Sequence, residues 1–457
     1  MRKKYCVLAL MMAAVMAVSG CAGNTSAPEN NEEENTDASD SGNTAVNDAE
    51  MNSEADHSVT AGEESQEADK NMEIEENSEG ETDGIQVPVI EIAQKVLPDS
   101  EAVAFVQNMK TGWNLGNTFD AVDSGITGDD LKYESVWCGT VTTKEMIDAL
   151  KEAGFQTIRI PVSWHNHLTD DKHTINEAWL NRVQEVVNYA IDDGMYVIIN
   201  IHHDFSKEYI YPTGEYLEQS KIYVTDIWTQ VADRFKDYDE HLIMESMNEP
   251  RMVGSNNEWW LDFQNEECID SIQCINEINQ TFVDVVRSSG GNNATRYLMV
   301  PGYDASLQGA VNEYFSLPGD IEKNQNKILV SVHAYTPYSF ALQAVGESGS
   351  KDTFDMSSSS STKDIDDLMK QLYDTYVKNG TGVVIGEYGA REKNGNLQAR
   401  VDFTAYYIEA ARASGITCCI WDNNSFTGNG ENFGLFERQS STFRYMEILE
   451  SIMTHCE

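Results

Sequence analysis

A chain of 457 residues with 76 acidic against 31 basic side chains carries a net charge of −45 at neutral pH. Such a surplus repels other polyanions and excludes nucleic acid as a partner. The length allows two or three domains, but the first 84 residues differ so much in composition from the rest that one large domain remains.

Arg2, Lys3 and Lys4 precede an apolar run from Val7 to Val18, and the segment closes on Val18-Ser19-Gly20-Cys21. This is the layout of a secretory signal over residues 1–20, too short and wrongly flanked for a membrane span. Small residues directly before a cysteine resemble a bacterial lipobox, which implies cleavage before Cys21 and its acylation as a lipid anchor. The alternative is an ordinary signal peptide with an incidental cysteine. Between 21 and 84 stand 20 acidic residues, one lysine and no Phe, Trp or Tyr. No core can form there, so a disordered, self-repelling acidic tether is expected.

Residues 85–457, with 56 acidic and 27 basic side chains, alternate short β-rich runs with longer amphipathic stretches. That alternation predicts βα units and a parallel sheet. Eight strands are expected: Thr111–Leu115, Thr157–Pro161, Tyr196–Ile201, Leu242–Ser246, Tyr297–Val300, Ile328–Val332, Gly382–Ile385 and Thr417–Trp421. Helices are expected from Thr143 to near Gly154 and over Leu180–Ile191, Ile222–Phe235, Ile275–Arg287, Ile365–Val377 and Leu397–Ala413. The Ser-rich stretch from Phe340 to Lys363 lacks an apolar period and reads as a long loop. Eight strands over about 370 residues fit an α/β fold, a closed (β/α)8 TIM barrel.

Six cysteines remain beyond residue 21, without a CxxC pair, so a zinc site is not indicated. Cys268 and Cys274 are the only closely spaced disulfide candidates, and Cys418 and Cys419 read as small buried hydrophobes.

Active sites on this barrel lie where the strands end, and nearly every strand here ends in reactive or hydrogen-bonding residues. The first is followed by Asn114 and Asn117, the second contains Arg159, and the third ends in Asn200, His202 and His203. The fourth leads to Asn248-Glu249-Pro250, the sixth gives His333 and Tyr335, the seventh Glu387, and the eighth Trp421, Asp422 and Asn423. Any one of these has a structural explanation, such as an ion pair for Arg159 or packing for Trp421. Their coincidence at one end of the strands does not, because two ionised glutamates are costly to bury without a task. Two converging carboxyl groups are suited to glycosidic hydrolysis, one donating a proton while the other attacks or activates water.

The run Leu242-Ile243-Met244-Glu245-Ser246-Met247-Asn248-Glu249-Pro250-Arg251 resembles the signature of glycoside hydrolase family 5, retaining TIM-barrel enzymes that include many cellulases. The similarity covers 105–450. Its blocks stand in the family's order: Gly112-Trp113-Asn114-Leu115-Gly116-Asn117, Arg159-Ile160-Pro161-Val162, Asn200-Ile201-His202-His203-Asp204, His333-Ala334-Tyr335, Gly386-Glu387-Tyr388-Gly389 and Trp421-Asp422-Asn423. The resemblance implies an acid/base at Glu249 and a nucleophile at Glu387. It assigns Arg159 and Tyr335 to hold the nucleophile, Asn248 to the sugar 2-hydroxyl, His202 and His333 to the reacting subsite, and Trp421 to stacking on the sugar ring. His203 and Asn117 are supporting candidates.

The same resemblance implies an endo-β-1,4-glucanase acting on cellulose and mixed-linkage β-glucan, with xyloglucan a further candidate; the signal segment implies export, and repulsion from ionised Glu387 is expected to keep Glu249 protonated at rest. No cofactor or metal is called for, the partner is a neutral β-glucan, the chain is monomeric, and membrane contact is through the lipid anchor alone. Two rival readings remain. A metal-dependent hydrolase would use His165-Asn166-His167 and His202-His203-Asp204. A non-catalytic glycan-binding lipoprotein would grip sugar with Trp113, Trp137, Trp164, Trp259 and Trp260.

Overall fold

The computed structural model describes residues 84–457 apart from 123–124, 322–323, 325 and 429. The expected signal segment, the expected lipidation site Cys21 and the expected tether up to residue 83 lie outside the described residues. Eight parallel strands close on themselves in chain order, β1 pairing with both β2 and β8. They are β1 (Thr111–Leu115), β2 (Thr157–Ile160), β3 (Tyr196–Asn200), β4 (Leu242–Glu245), β5 (Leu298–Pro301), β6 (Ile328–His333), β7 (Val383–Tyr388) and β8 (Thr417–Asp422). All eight expected strands exist, and the ends differ by a residue or two, except that β7 runs three residues further, into Glu387 and Tyr388.

Helices cover the barrel because each carries an apolar stripe. Glu177–Asp192 buries Trp179, Leu180, Val183, Val186, Val187 and Ala190, the spacing of one helix face, and its first turn is capped by the Asn176 side chain. The other expected helices are observed as Lys144–Glu152, Leu217–Phe235, Glu266–Ser288, Ser359–Thr375 and Leu397–Ala413.

Strand alternation divides the packing between the helix-facing side and the barrel interior. Cys418 faces the helices, whereas Cys419 points inward among Ile198, Ile243, Met299, Leu329 and Val384. Room for its sulfur comes from Gly112, where a Cβ would stand 2.3 Å from Cys419 Sγ. A helix that the sequence pattern did not predict, Glu101–Asn108, stops the lower mouth with Ala102, Phe105 and Val106, followed by Met109. It is fastened by Thr417 Oγ1 donating to the Val106 carbonyl and Thr157 Oγ1 to that of Met109.

Two expectations are corrected. The Ser-rich stretch is not loop throughout: Ser359 begins a helix, because the Ser358 hydroxyl accepts from the Ser360 N–H and caps it. Cys268 and Cys274 are free, buried and on one helix. Six residues along a helix separate them by about 9 Å of rise, beyond disulfide reach.

Candidate active site

All the strands point their C-terminal ends at one cleft, where the polar residues collect. Arg159, in the middle of β2, is wholly buried and spends its guanidinium on four side chains. Nε donates to Glu245 at 2.8 Å, Nη1 to Glu387 at 2.8 Å and Asn114 at 3.1 Å, and Nη2 to Asn248 at 2.8 Å. Burial disfavours its charge, but Glu245 and Glu387 outweigh that and raise its pKa, so it remains a cation.

Glu387 therefore has one oxygen on Arg159. The other accepts from the Tyr335 hydroxyl at 2.8 Å. Burial and the neighbouring Glu387 charge hold the Tyr335 phenol well above its usual range, which keeps it a donor. Gly386 precedes Glu387 because a Cβ there would stand 3.0 Å from His333 Nε2.

Glu249 sits in the turn after β4, which is pinned between neighbours by Ser246 N donating to the Met299 carbonyl and Asn248 N to that of Ile201. Its Oε1 meets His333 Nδ1 at 2.8 Å, and the same nitrogen stands 3.6 Å from Glu387. Oxygens of Glu249 and Glu387 lie within 4.8 Å of each other. Arg251 Nη1 adds a contact to Glu249 at 3.4 Å.

At Glu249 the electrostatic direction runs against the expected elevation by Glu387. Burial pushes the Glu249 carboxyl up, but the His333 hydrogen bond and the charges of His333 and Arg251 bring it down. Burial opposes charge on His333, yet Glu387 and the bond to Glu249 raise it. The imidazole stands between the two carboxylates, 2.8 Å from Glu249 and 3.6 Å from Glu387.

His202 Nδ1 faces the Asn200 amide nitrogen at 3.2 Å, so it accepts and leaves the ring proton on Nε2 as a donor. The His202 ring is parallel to Trp421, 6.0 Å between centroids. His203 is exposed, its ring 6.0 Å from Trp137. Asn117 takes a positive φ of 56° in the turn after β1 and its N–H donates to Asp120. Asp422 and Asn423 organise loops: Asp422 accepts from Trp113, Leu435 and Phe436, and Asn423 from Ser425 and Phe433.

Among the described residues two trios place ligand atoms within 4.8 Å: Asp120 with His202 and His203, and Glu249 with His333 and Glu387. Asn200 already occupies His202 Nδ1, and Arg159, Tyr335 and His333 occupy the glutamates. Of the residues of the rival metal reading, His165 and Asp204 meet at 3.2 Å, while His167 is buried against Trp179 with ring centroids 3.6 Å apart.

Glu245, Ser331 and Arg251 join the site without having been expected there. Glu245 takes Arg159 and Asn200 on one oxygen and Ser331 on the other at 2.6 Å. A lone glutamate ending an apolar strand was its available signal.

The family model of cellulase (glycosyl hydrolase family 5) matches residues 119–427. Endoglucanase 1 of Ruminococcus albus is 39% identical over 84% of this chain and 89% of its own. Among solved structures, a mutant glycoside hydrolase 5 lichenase from a Caldicellulosiruptor species, in complex with cellotetraose, is 56% identical. It covers 82% of this chain and 100% of that one, with a TM-score of 0.81. A broad specificity endoglucanase from Ruminococcus champanellensis with bound cellotriose is 43% identical over 79% and 100% of the two chains, TM-score 0.71. With eight strands closed in order and two glutamates facing each other across one cleft, the chain belongs to glycosyl hydrolase family 5 and is a retaining endo-β-1,4-glucanase.

Proposed function

We propose that Glu387 is the nucleophile and Glu249 the acid/base. The observation that carries this reading is their unequal company: Glu387 is gripped by Arg159 and Tyr335, whereas Glu249 shares a proton with His333. Carboxyl groups of a retaining pair stand about 5–5.5 Å apart and those of an inverting pair farther; oxygens within 4.8 Å fit the former. When the glycosidic oxygen arrives, the proton held between His333 and Glu249 passes through Glu249 to the leaving group while Glu387 attacks the anomeric carbon. Glu249, now a base, deprotonates the water that opens the glycosyl ester.

Asn248, oriented by Arg159, binds the 2-hydroxyl, His202 donates through Nε2, and Trp421 supplies the apolar face for the sugar ring. Cellulose and mixed-linkage β-glucan are the substrates, with xyloglucan a third. Strongly anionic polymers are excluded by a charge of −29 on residues 85–457. The enzyme is exported, anchored by lipid on Cys21, carried on the acidic tether and monomeric, with its catalytic domain beginning near 85.

Azide tests the two roles. Glu387→Gly with azide should regain turnover of an activated aryl glycoside and give the α-glycosyl azide. Glu249→Ala should give the β-product from its covalent intermediate. Exchanged stereochemistry would reverse the assignment.

A further inference from the structure

The loop after β5 is strained beside the Glu249 turn. Asp304 and Ala305, neither of them glycine, take φ values of 54° and 43° in succession. Left-handed backbone at consecutive L-residues survives only where the surroundings enforce it, and such strain collects at functional positions.

Here the surroundings are the acid/base turn itself. Asp304 N donates to the carbonyl of Pro250, the residue after Glu249, at 2.8 Å. Tyr303, buried, uses its hydroxyl to accept from Met252 N at 3.2 Å and to reach the carbonyls of Asn257 and Glu258 at 2.7 and 3.1 Å. The left-handed turn aims the Asp304 side chain at Arg251: Oδ1 lies 3.9 Å from Nε and has no hydrogen-bond partner of its own.

Arg251 is caged. Its Nη1 donates to the Glu249 carbonyl at 3.0 Å and touches Oε2, Nε faces Glu258 at 3.4 Å, and the Trp259 ring lies 4.0 Å over the guanidinium. Burial, with the Glu249 charge adding, raises Asp304 well above the usual carboxylate range. Its carboxyl stands as a wall 3.9 Å from Arg251 Nε, while Glu249 and Glu258 approach the guanidinium to 3.4 Å.

We propose that Asp304 is a positioning residue for the proton donor, acting through Arg251: it fixes the guanidinium at the contact distance that orients Glu249 toward the leaving oxygen. This rests on Glu249 being the acid/base.

A positioning defect in acid catalysis has a signature that general loosening lacks. Poor leaving groups suffer, because they need the proton, and good ones do not. Asp304→Gly and Asp304→Ser both remove the wall, the first relaxing the left-handed backbone as well. Each should lower kcat on β-glucan and on phenyl cellobioside about tenfold. Turnover of 2,4-dinitrophenyl cellobioside should stay within about twofold, and the melting temperature of the full chain should hold. Asp304→Asn, which matches the carboxyl in shape and tolerates positive φ, should restore the wild-type ratio of the two aryl rates. Equal losses on both aryl substrates, no loss on either, or failure of asparagine to restore the ratio would overturn the proposal. Glu249→Gln, assayed in parallel, separates the two readings. If it shows no leaving-group dependence, the assignment of Glu249 fails; if it does and the Asp304 variants do not, only the positioning role fails.

Discussion

Arg159 and Glu245 form an ion pair of 2.8 Å in which neither side chain meets solvent. The same guanidinium holds Glu387, so a structural pair and the proposed nucleophile share one cation. Removing one partner of a buried pair costs about 3–5 kcal/mol. Glu245→Ala should fall near the lower end of that range, because Glu387 continues to compensate Arg159. Denaturant unfolding of residues 85–457 checks this, and a loss below about 1 kcal/mol would show the pair to be dispensable.

Tyr335→Phe removes one of two hydrogen bonds to Glu387 while keeping the ring that packs 5.4 Å from Phe433. A hydrogen bond to a charged group is worth about 1.5–3 kcal/mol. The expected result is a loss of kcat of roughly ten- to hundredfold at unchanged melting temperature. Steady-state kinetics on an aryl cellobioside provide the measurement, and wild-type turnover would free Tyr335 of its role.

His167 carries the clearest acid sensitivity. Burial against Trp179 and Tyr133 depresses its pKa to about 3, while in the unfolded chain the imidazole titrates near its ordinary 6.5. A depressed histidine contributes full stability above the unfolded pKa, and that stability drains away as pH falls from about 6.5 toward about 3. At pH 5 the loss is about 2 kcal/mol relative to pH 8. His167→Phe should keep the stacking and flatten this part of the profile; parallel unfolding curves at pH 8 and 5 decide it, and identical pH slopes would reject it.

Cys21→Ser should move the enzyme from the membrane fraction to the soluble one with its specific activity intact. Deleting residues 1–84 should leave a cooperatively unfolding, active domain, since Gln86 already exchanges hydrogen bonds with Gln398 and Lys95 N donates to Ala413. Unchanged fractionation of the cysteine variant, or an inactive truncation, would count against the anchor and the boundary respectively.

Most of the barrel was legible because each strand is a short β-rich run bounded by turn residues and each helix face repeats at 3.6 residues. Glu249 and Glu387 could be read from Asn248-Glu249-Pro250 and Gly386-Glu387-Tyr388. Glu101–Asn108 escaped because it is short and its apolar residues fit a plug, not a layer. Glu245 escaped because its partners Arg159, Asn200 and Ser331 come from three other strands, and no local spacing announces such a meeting. The direction of the shift at Glu249 was illegible for a related reason: whether Glu387 raises it depends on what stands between them, and His333 does.

The helix Glu101–Asn108 also dictates an order of events during synthesis. It leaves the ribosome before any strand, yet Val106 waits for Thr417 and its apolar side closes against β3 through β8. Contacts so distant in sequence form late. The stopper is therefore made first and seated last, so the unfinished barrel carries an open apolar mouth until some 310 further residues have emerged. That interval is when this chain is most exposed to aggregation.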